Sequence, residues 1–144
     1  MIALIQRVSC GRVDVDNQCI ASIQRGIVAL VAVQKEDTSE TIKRLLNRII
    51  NYRIFPDEAG KMNLSLVDIK GELILVPQFT LVADTKKGNR PSFSNNVTAE
   101  VGKQRFEELV AYAQQHIDVH QGQFGADMQV SLTNDGPVTF WLEV

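Results

Sequence analysis

Three short segments carry the residues whose types and spacing could do chemistry. The first is Asn134-Asp135-Gly136-Pro137-Val138-Thr139, ahead of an alternating apolar run that ends at Val144. A Gly-Pro pair at the mouth of a sheet presents stiff backbone rather than a mobile side chain, and an X-Pro bond adopts cis at small cost. The same pair is also what an ordinary turn before a strand contains. The second segment is Pro77-Gln78-Phe79-Thr80-Leu81. On an extended strand, Gln78 and Thr80 would share one face, with Phe79 and Leu81 on the other. A Gln amide beside a Thr hydroxyl either hydrogen-bonds a small polar ligand or merely satisfies neighbouring backbone. The backbone N–H groups of Gln78 and Phe79 are candidates to stabilise an oxyanion in acyl transfer. The third segment, Lys86-Lys87-Gly88-Asn89-Arg90, is either a solvated loop or a phosphate clamp, Arg supplying a fork and Lys a point charge.

What the chain lacks narrows that chemistry. The two histidines, His116 and His120, fall in no metal-ligand or triad-like motif, and His116 is placed to cap a helix C-terminus or complement its dipole. There is no Gly-x-Ser-x-Gly elbow, phosphate-binding glycine loop or dinucleotide fingerprint. Glu107-Glu108 on a helix, and Asp57-Glu58 in a turn beside Gly60, read as solvated carboxylates. The usable groups are therefore backbone N–H, an amide, a hydroxyl and a rigid proline. None of these motifs calls for a metal or a cofactor.

The elements that must position these groups follow from pattern. Strands are expected at Ile2 to Val8, Gly11 to Val15, Ile20 to Gln24 and Ile27 to Val33, with Asp16-Asn17-Gln18 as a hairpin turn. The nearly continuous apolar run from Gly26 to Val33 predicts a strand covered on both faces. A helix is expected to open at Asp37, with Glu40 completing a capping-box-like pair and Ile42, Leu45, Leu46 and Ile49 forming its apolar stripe. A second helix is expected from Thr98 to Ile117, burying Phe106, Leu109, Val110, Ala113 and Ile117. Glu72 to Val76 predicts a buried strand leading into Pro77, and the last strands fall near Met128 to Leu132 and Val138 to Val144. The expected fold is one mixed α/β domain over residues 1–144, sheet packed on sheet in a barrel-like way, with two helices on one side.

Composition sets the limits. The 144 residues, 44% of them hydrophobic, suffice for one ordinary core. A net charge of -2 argues against nucleic-acid binding by bulk electrostatics but leaves room for a local basic patch. Cys10 and Cys19 have no metal or redox spacing; they either neighbour one another on adjacent strands or are two reduced thiols of a cytosolic protein. Neither an export signal nor a membrane-spanning run is apparent, so a cytoplasmic location is expected and no membrane partner.

Taken in order, Pro77-Gln78-Phe79-Thr80-Leu81, Lys87-Gly88-Asn89-Arg90-Pro91-Ser92-Phe93, Phe124-Gly125-Ala126-Asp127-Met128 and Asn134-Asp135-Gly136-Pro137-Val138-Thr139 resemble the D-aminoacyl-tRNA deacylase family, and the likeness runs from the first residue to the last. The resemblance implies a homodimer that hydrolyses the ester joining a D-amino acid to the 3′ end of tRNA. It implies that Gly136-Pro137 is a cis pair reaching into the other subunit's pocket, where its carbonyls hold the substrate amino group and exclude an L side chain. Arg7 would brace that pair. Gln78, Phe79 and Thr80 would line the reaction centre, with Thr80 positioning rather than attacking. Phe124 and Met128 would wall the terminal adenosine, and Lys86, Lys87 and Arg90 would contact tRNA, with no role for DNA. Rejection by clash admits glycine, so glycyl-tRNA should also be hydrolysed. One position departs: Pro77 stands where the family usually has Ser, removing a hydroxyl and a backbone N–H. That departure keeps two other classes in view, a catalytically impaired binder of aminoacyl-tRNA 3′ ends and a protein that retains the fold alone.

Overall fold

Asp16 and Asn17 both take positive φ, 50° and 62°, and close a two-residue hairpin between β1 (Ile2–Val15) and β2 (Gln18–Ile23). The computed structural model describes every residue of the chain except Asn95. After β3 (Gly26–Ala32) come α1 (Ser39–Asn51), a small hairpin of β4 (Phe55–Pro56) and β5 (Met62–Leu64), and β6 (Glu72–Pro77). A 3-10 turn at Phe79–Val82, α2 (Ala99–Ala113), β7 (Val119–Gln121) and β8 (Gln129–Glu143) complete the chain. The main sheet runs β2-β1-β3-β6-β7, with β8 along the other side of β1; β6 is parallel to both β3 and β7.

The sheet is buried on two faces, as the apolar runs require. Ile27, Ala29 and Val31 of β3 and Leu73 and Leu75 of β6 face the core shared with the helices. Val28, Ile74 and Val76 face the second core, which Ala21 and Ile23 of β2 close from the far side. The sheet thus curls until β2 lies over β6 and β7, the nearly closed barrel-like form that was expected. Both helices pack on the outer face: Ile42, Leu45, Leu46 and Ile49 of α1, and Phe106, Leu109, Val110 and Ala113 of α2, are all buried there.

Several elements differ from the sequence expectation, each for a local reason. β1 is one strand, because Ser9 is an extra residue in its pairing: Val8 lies opposite Asn134 and Cys10 opposite Thr133. That bulge inverts the phase, so Ala3 and Ile5 face the helices whereas Val13 joins the second core. α1 is capped by Thr38, whose box partner is Thr41 and not Glu40. Asp37 instead accepts from the Gln34 N–H and the Met1 amino group. α2 begins on its Thr98 cap but stops at Ala113; His116 lies in the following turn with its ring 4.5 Å from that of Tyr112, and Ile117 packs only partly against the core. The two C-terminal strands are one, β8, and β7 was not foreseen. Cys10 and Cys19 do fall on the neighbouring strands β1 and β2, both as free thiols. No helix of the described residues is long and apolar enough to cross a membrane.

Candidate active site

Strand β6 delivers the central segment. Its pairing with β3 reaches Val31 opposite Pro77, where a proline costs no ladder bond, and resumes through the Gln78 N–H, which donates to the Val31 carbonyl at 2.7 Å. The chain then winds into the 3-10 turn, so Gln78 and Thr80 do not share a face by strand alternation. The turn brings them together: Gln78 Nε2 donates to Thr80 Oγ1 at 2.6 Å. Of the two expected oxyanion donors, Gln78 N–H is spent on Val31. Phe79 N–H and, one residue on, Thr80 N–H are the open donors at the start of the turn, with no partner among the described residues.

Of these, Phe79 lines a cavity of about 570 Å³. Its floor is Val31, Val33, Val76 and Pro77, its far wall Phe106, Phe124 and Met128, and its near wall the Asn96 to Ala99 approach to α2. Glycines let the lining side chains pack closely. A Cβ on Gly102 would stand 3.2 Å from the Phe124 ring, and one on Gly122 would stand 2.8 Å from Met128 Sδ and 3.2 Å from the Pro77 ring. Gln78, Phe79, Phe124 and Met128 therefore come together around one cavity. Thr80 stands outside its lining, exposed.

The Gly136-Pro137 pair is cis and lies away from that cavity. Four residues, Asp135 to Val138, oppose the single residue Arg7 in the β1–β8 pairing, between Gln6–Thr139 and Val8–Asn134. The pair is thus the tip of a bulge on an otherwise regular strand. Arg7 Nε donates to the Asp135 carbonyl at 3.0 Å, and Nη1 donates to the Ile54 carbonyl at 2.6 Å. Asn134 Nδ2 ties the two ends of the bulge by donating to the Arg7 and Val138 carbonyls. Gly136 has φ +140°, and a Cβ there would stand 2.6 Å from Val138 Cγ2. Asn134 was not singled out as a positioning residue, although an amide at the foot of a Gly-Pro bulge is a usable signal.

Lys86, Lys87 and Arg90 are exposed on a hairpin closed by the Asp84–Ser92 bridge. None makes an ion pair among the described residues. Phe93, which follows that bridge, meets Phe79 with ring centroids 5.3 Å apart, so the basic hairpin adjoins the cavity mouth. His120 sits 3.7 Å from Glu72 and 3.8 Å from Asp118, away from the cavity lining. Two carboxylates expected to be merely solvated have local partners. Asp57 accepts from Asn63 Nδ2 and from the Lys61 and Ala59 N–H groups, which hold its carboxyl below the usual range. Ser39 and Arg105 do the same for Glu108.

Comparison with known proteins extends the likeness over the whole chain. A family model described as D-Tyr-tRNA(Tyr) deacylase matches residues 4–143. The chain is 58% identical over 145 residues to a D-aminoacyl-tRNA deacylase of Francisella tularensis subsp. tularensis (strain WY96-3418), and 51% identical over 144 residues to one of Pasteurella multocida (strain Pm70), covering 100% of each pair. Among solved structures it superposes on a c-Myc DNA Unwinding Element Binding Protein with a TM-score of 0.95 at 35% identity, covering 100% of this chain and 99% of that one. A probable eukaryotic D-amino acid tRNA deacylase gives a TM-score of 0.82 at 19% identity, covering 99% and 98%, a likeness of fold.

Proposed function

Because the chain belongs to the D-aminoacyl-tRNA deacylase family, hydrolases that act on aminoacyl-tRNA, we propose that its cavity takes the charged 3′ end and releases D-amino acids by substrate-assisted hydrolysis in the cytoplasm. The observation that carries this mechanism is the run of two open donors, Phe79 N–H and Thr80 N–H, the first on a residue that lines the apolar cavity and the second on the residue that follows it. A carbonyl of the ester seated there would develop its negative charge against two preorganised dipoles, at no cost in reorganisation. Among the described residues, no carboxylate or imidazole lines the cavity. Water, oriented by the substrate's own groups such as the ribose 2′-hydroxyl, is then the attacking species. The tetrahedral intermediate collapses to the free amino acid as the C–O bond to ribose breaks. The proton given up by the attacking water passes through the 2′-hydroxyl to the leaving ribose oxygen, which departs as a hydroxyl.

Chirality is read by the Gly136-Pro137 tip of a second copy. In support, the tip is stiffened by Arg7 and Asn134, and it stands away from its own chain's cavity. Stiff backbone where an L side chain would project rejects the wrong hand irrespective of side-chain identity, and it admits glycine. Phe124 and Met128 wall the terminal nucleoside, and Lys86, Lys87 and Arg90 take phosphates of the acceptor end. Pro77 sits in the cavity floor as apolar surface, so the hydroxyl it displaces is not part of this mechanism.

The test is release of tyrosine from matched D-Tyr-tRNA and L-Tyr-tRNA at neutral pH, buffer rates subtracted, with glycyl-tRNA as a third substrate. Rapid loss of the D-ester and of glycine, with the L-ester spared, is expected. Protection of both tyrosyl esters would replace the enzyme by a 3′-end binding protein.

A further inference from the structure

Asn96 precedes the Thr98 cap of α2 by two residues and lines the cavity. Its Oδ1 is buried without a hydrogen-bond partner, and it is the one such side-chain atom among the described residues. A buried amide oxygen left unpaired costs stability, so it calls for a partner such as a water, an ion or a ligand group. The surrounding wall includes Phe106, Phe124 and Met128, the two rings tilted by 44° to one another. It offers aromatic and thioether surface to a planar ligand, with Thr98 and Gln78 as the other polar side chains of the lining.

An asparagine amide is a fork of one acceptor and one donor. That fork complements the exocyclic amine and adjacent ring nitrogen of adenine, as it does when Asn reads adenine edges elsewhere. Guanine and the pyrimidine uracil offer a carbonyl where adenine offers its amine, and would set oxygen against Oδ1. We infer that Asn96 reads the 6-amino edge of the terminal adenosine and so makes this chain selective for the base that ends its substrate. The inference rests on the deacylase reading for the identity of the nucleoside, and on the orphaned amide for the contact.

The test pairs a change in the base with a change in the residue. Acceptor-stem RNA ending in adenosine, and the same RNA ending in purine riboside, which lacks the 6-amino group, are both charged with D-tyrosine. For the wild type, kcat/KM should fall about tenfold on loss of the amine, as expected for one hydrogen bond to a buried acceptor. Asn96→Ala should hydrolyse both substrates at about the wild-type rate for the purine ester, and Asn96→Asp, which keeps an acceptor, should retain the preference for the amine. Equal wild-type rates on both termini, or an undiminished preference in Asn96→Ala, would overturn the inference. So would a loss in Asn96→Ala well below the wild-type purine rate on both substrates, which marks a structural role. Binding of the uncharged trinucleotide CCA against its purine-terminated analogue supplies the same comparison without hydrolysis. A failure of the deacylase reading, seen as no release of D-tyrosine from either ester, is thereby kept apart from a failure of the Asn96 contact.

Discussion

At the scale of single residues, the proposed mechanism relies on backbone, amide and hydroxyl groups. Thr80 is the hydroxyl nearest in sequence to the open donors, yet its oxygen accepts from Gln78 Nε2 and no base stands against it among the described residues. A hydroxyl with no partner to take its proton is a poor nucleophile. Thr80→Ala should therefore keep deacylation within about tenfold of wild type, since removing true nucleophiles costs several orders of magnitude. Single-turnover hydrolysis of D-Tyr-tRNA checks this, and a loss of a thousandfold or more would return the hydroxyl to the chemistry. Gly136 is different in kind. Its φ of +140° and the 2.6 Å approach to Val138 Cγ2 leave no space for a Cβ, so Gly136→Ala must shift the tip of the bulge. Its effect should fall on the ratio of D- to L-ester hydrolysis more than on the binding of uncharged tRNA.

At the scale of elements, the sequence was legible where pattern is local and opaque where pairing is not. The stripe Ile42, Leu45, Leu46 and Ile49 and the two-faced run of β3 are properties of a few turns or residues, and both appear as read. The Ser9 bulge and the Asp135–Val138 bulge depend on the register of two strands more than a hundred residues apart, and alternation within either strand cannot reveal them. The same limit applies to the site. Gln78 and Phe79 were legible as candidates and both line the cavity, but the loss of Gln78 N–H to Val31 required knowing that β3 lies beside β6. Asn96 gave no signal at all, because an unpaired amide is visible only once its surroundings are folded. The β4–β5 hairpin was likewise read as solvent-facing turn, and its Asp57 proves to hold three donors. Because those donors depress its folded pKa, the carboxylate stabilises the hairpin above the ordinary carboxylate range, and the contribution is lost as pH falls through the lowered folded value. Asp57→Ala should thus lower Tm at pH 6 to 7, and its Tm should converge on that of wild type as pH falls below about 4. A gap in Tm that persists unchanged in acid would show that the carboxylate's charge is irrelevant to the hairpin.

At the scale of the whole molecule, the cavity and the bulge tip occupy different parts of one chain. Pocket residues come mainly from β3, β6 and α2, with Val130 from the start of β8. Gly136-Pro137 rides farther along β8, which pairs only with β1 and leaves its other edge unpaired among the described residues. If a second copy brings its tip to this cavity, each site takes its floor from one protomer and its chiral filter from the other, and defects in the two parts should complement. Gly136→Ala damages the tip, and Ala126→Trp fills the cavity from a residue that lines it. Differently tagged copies of the two variants, co-expressed and isolated as the mixed dimer by two affinity steps, carry one intact site and one doubly defective site. The mixed dimer should recover about half the wild-type rate with wild-type preference for D-Tyr-tRNA, as two-fold symmetry requires for a shared site. Each variant alone should lack that combination. Were each site built from a single chain, every site in the mixed dimer would carry one of the two defects, and its activity would stay at the mean of the two parents. The ratio of mixed to parental activity therefore decides whether chirality is read within a chain or between two.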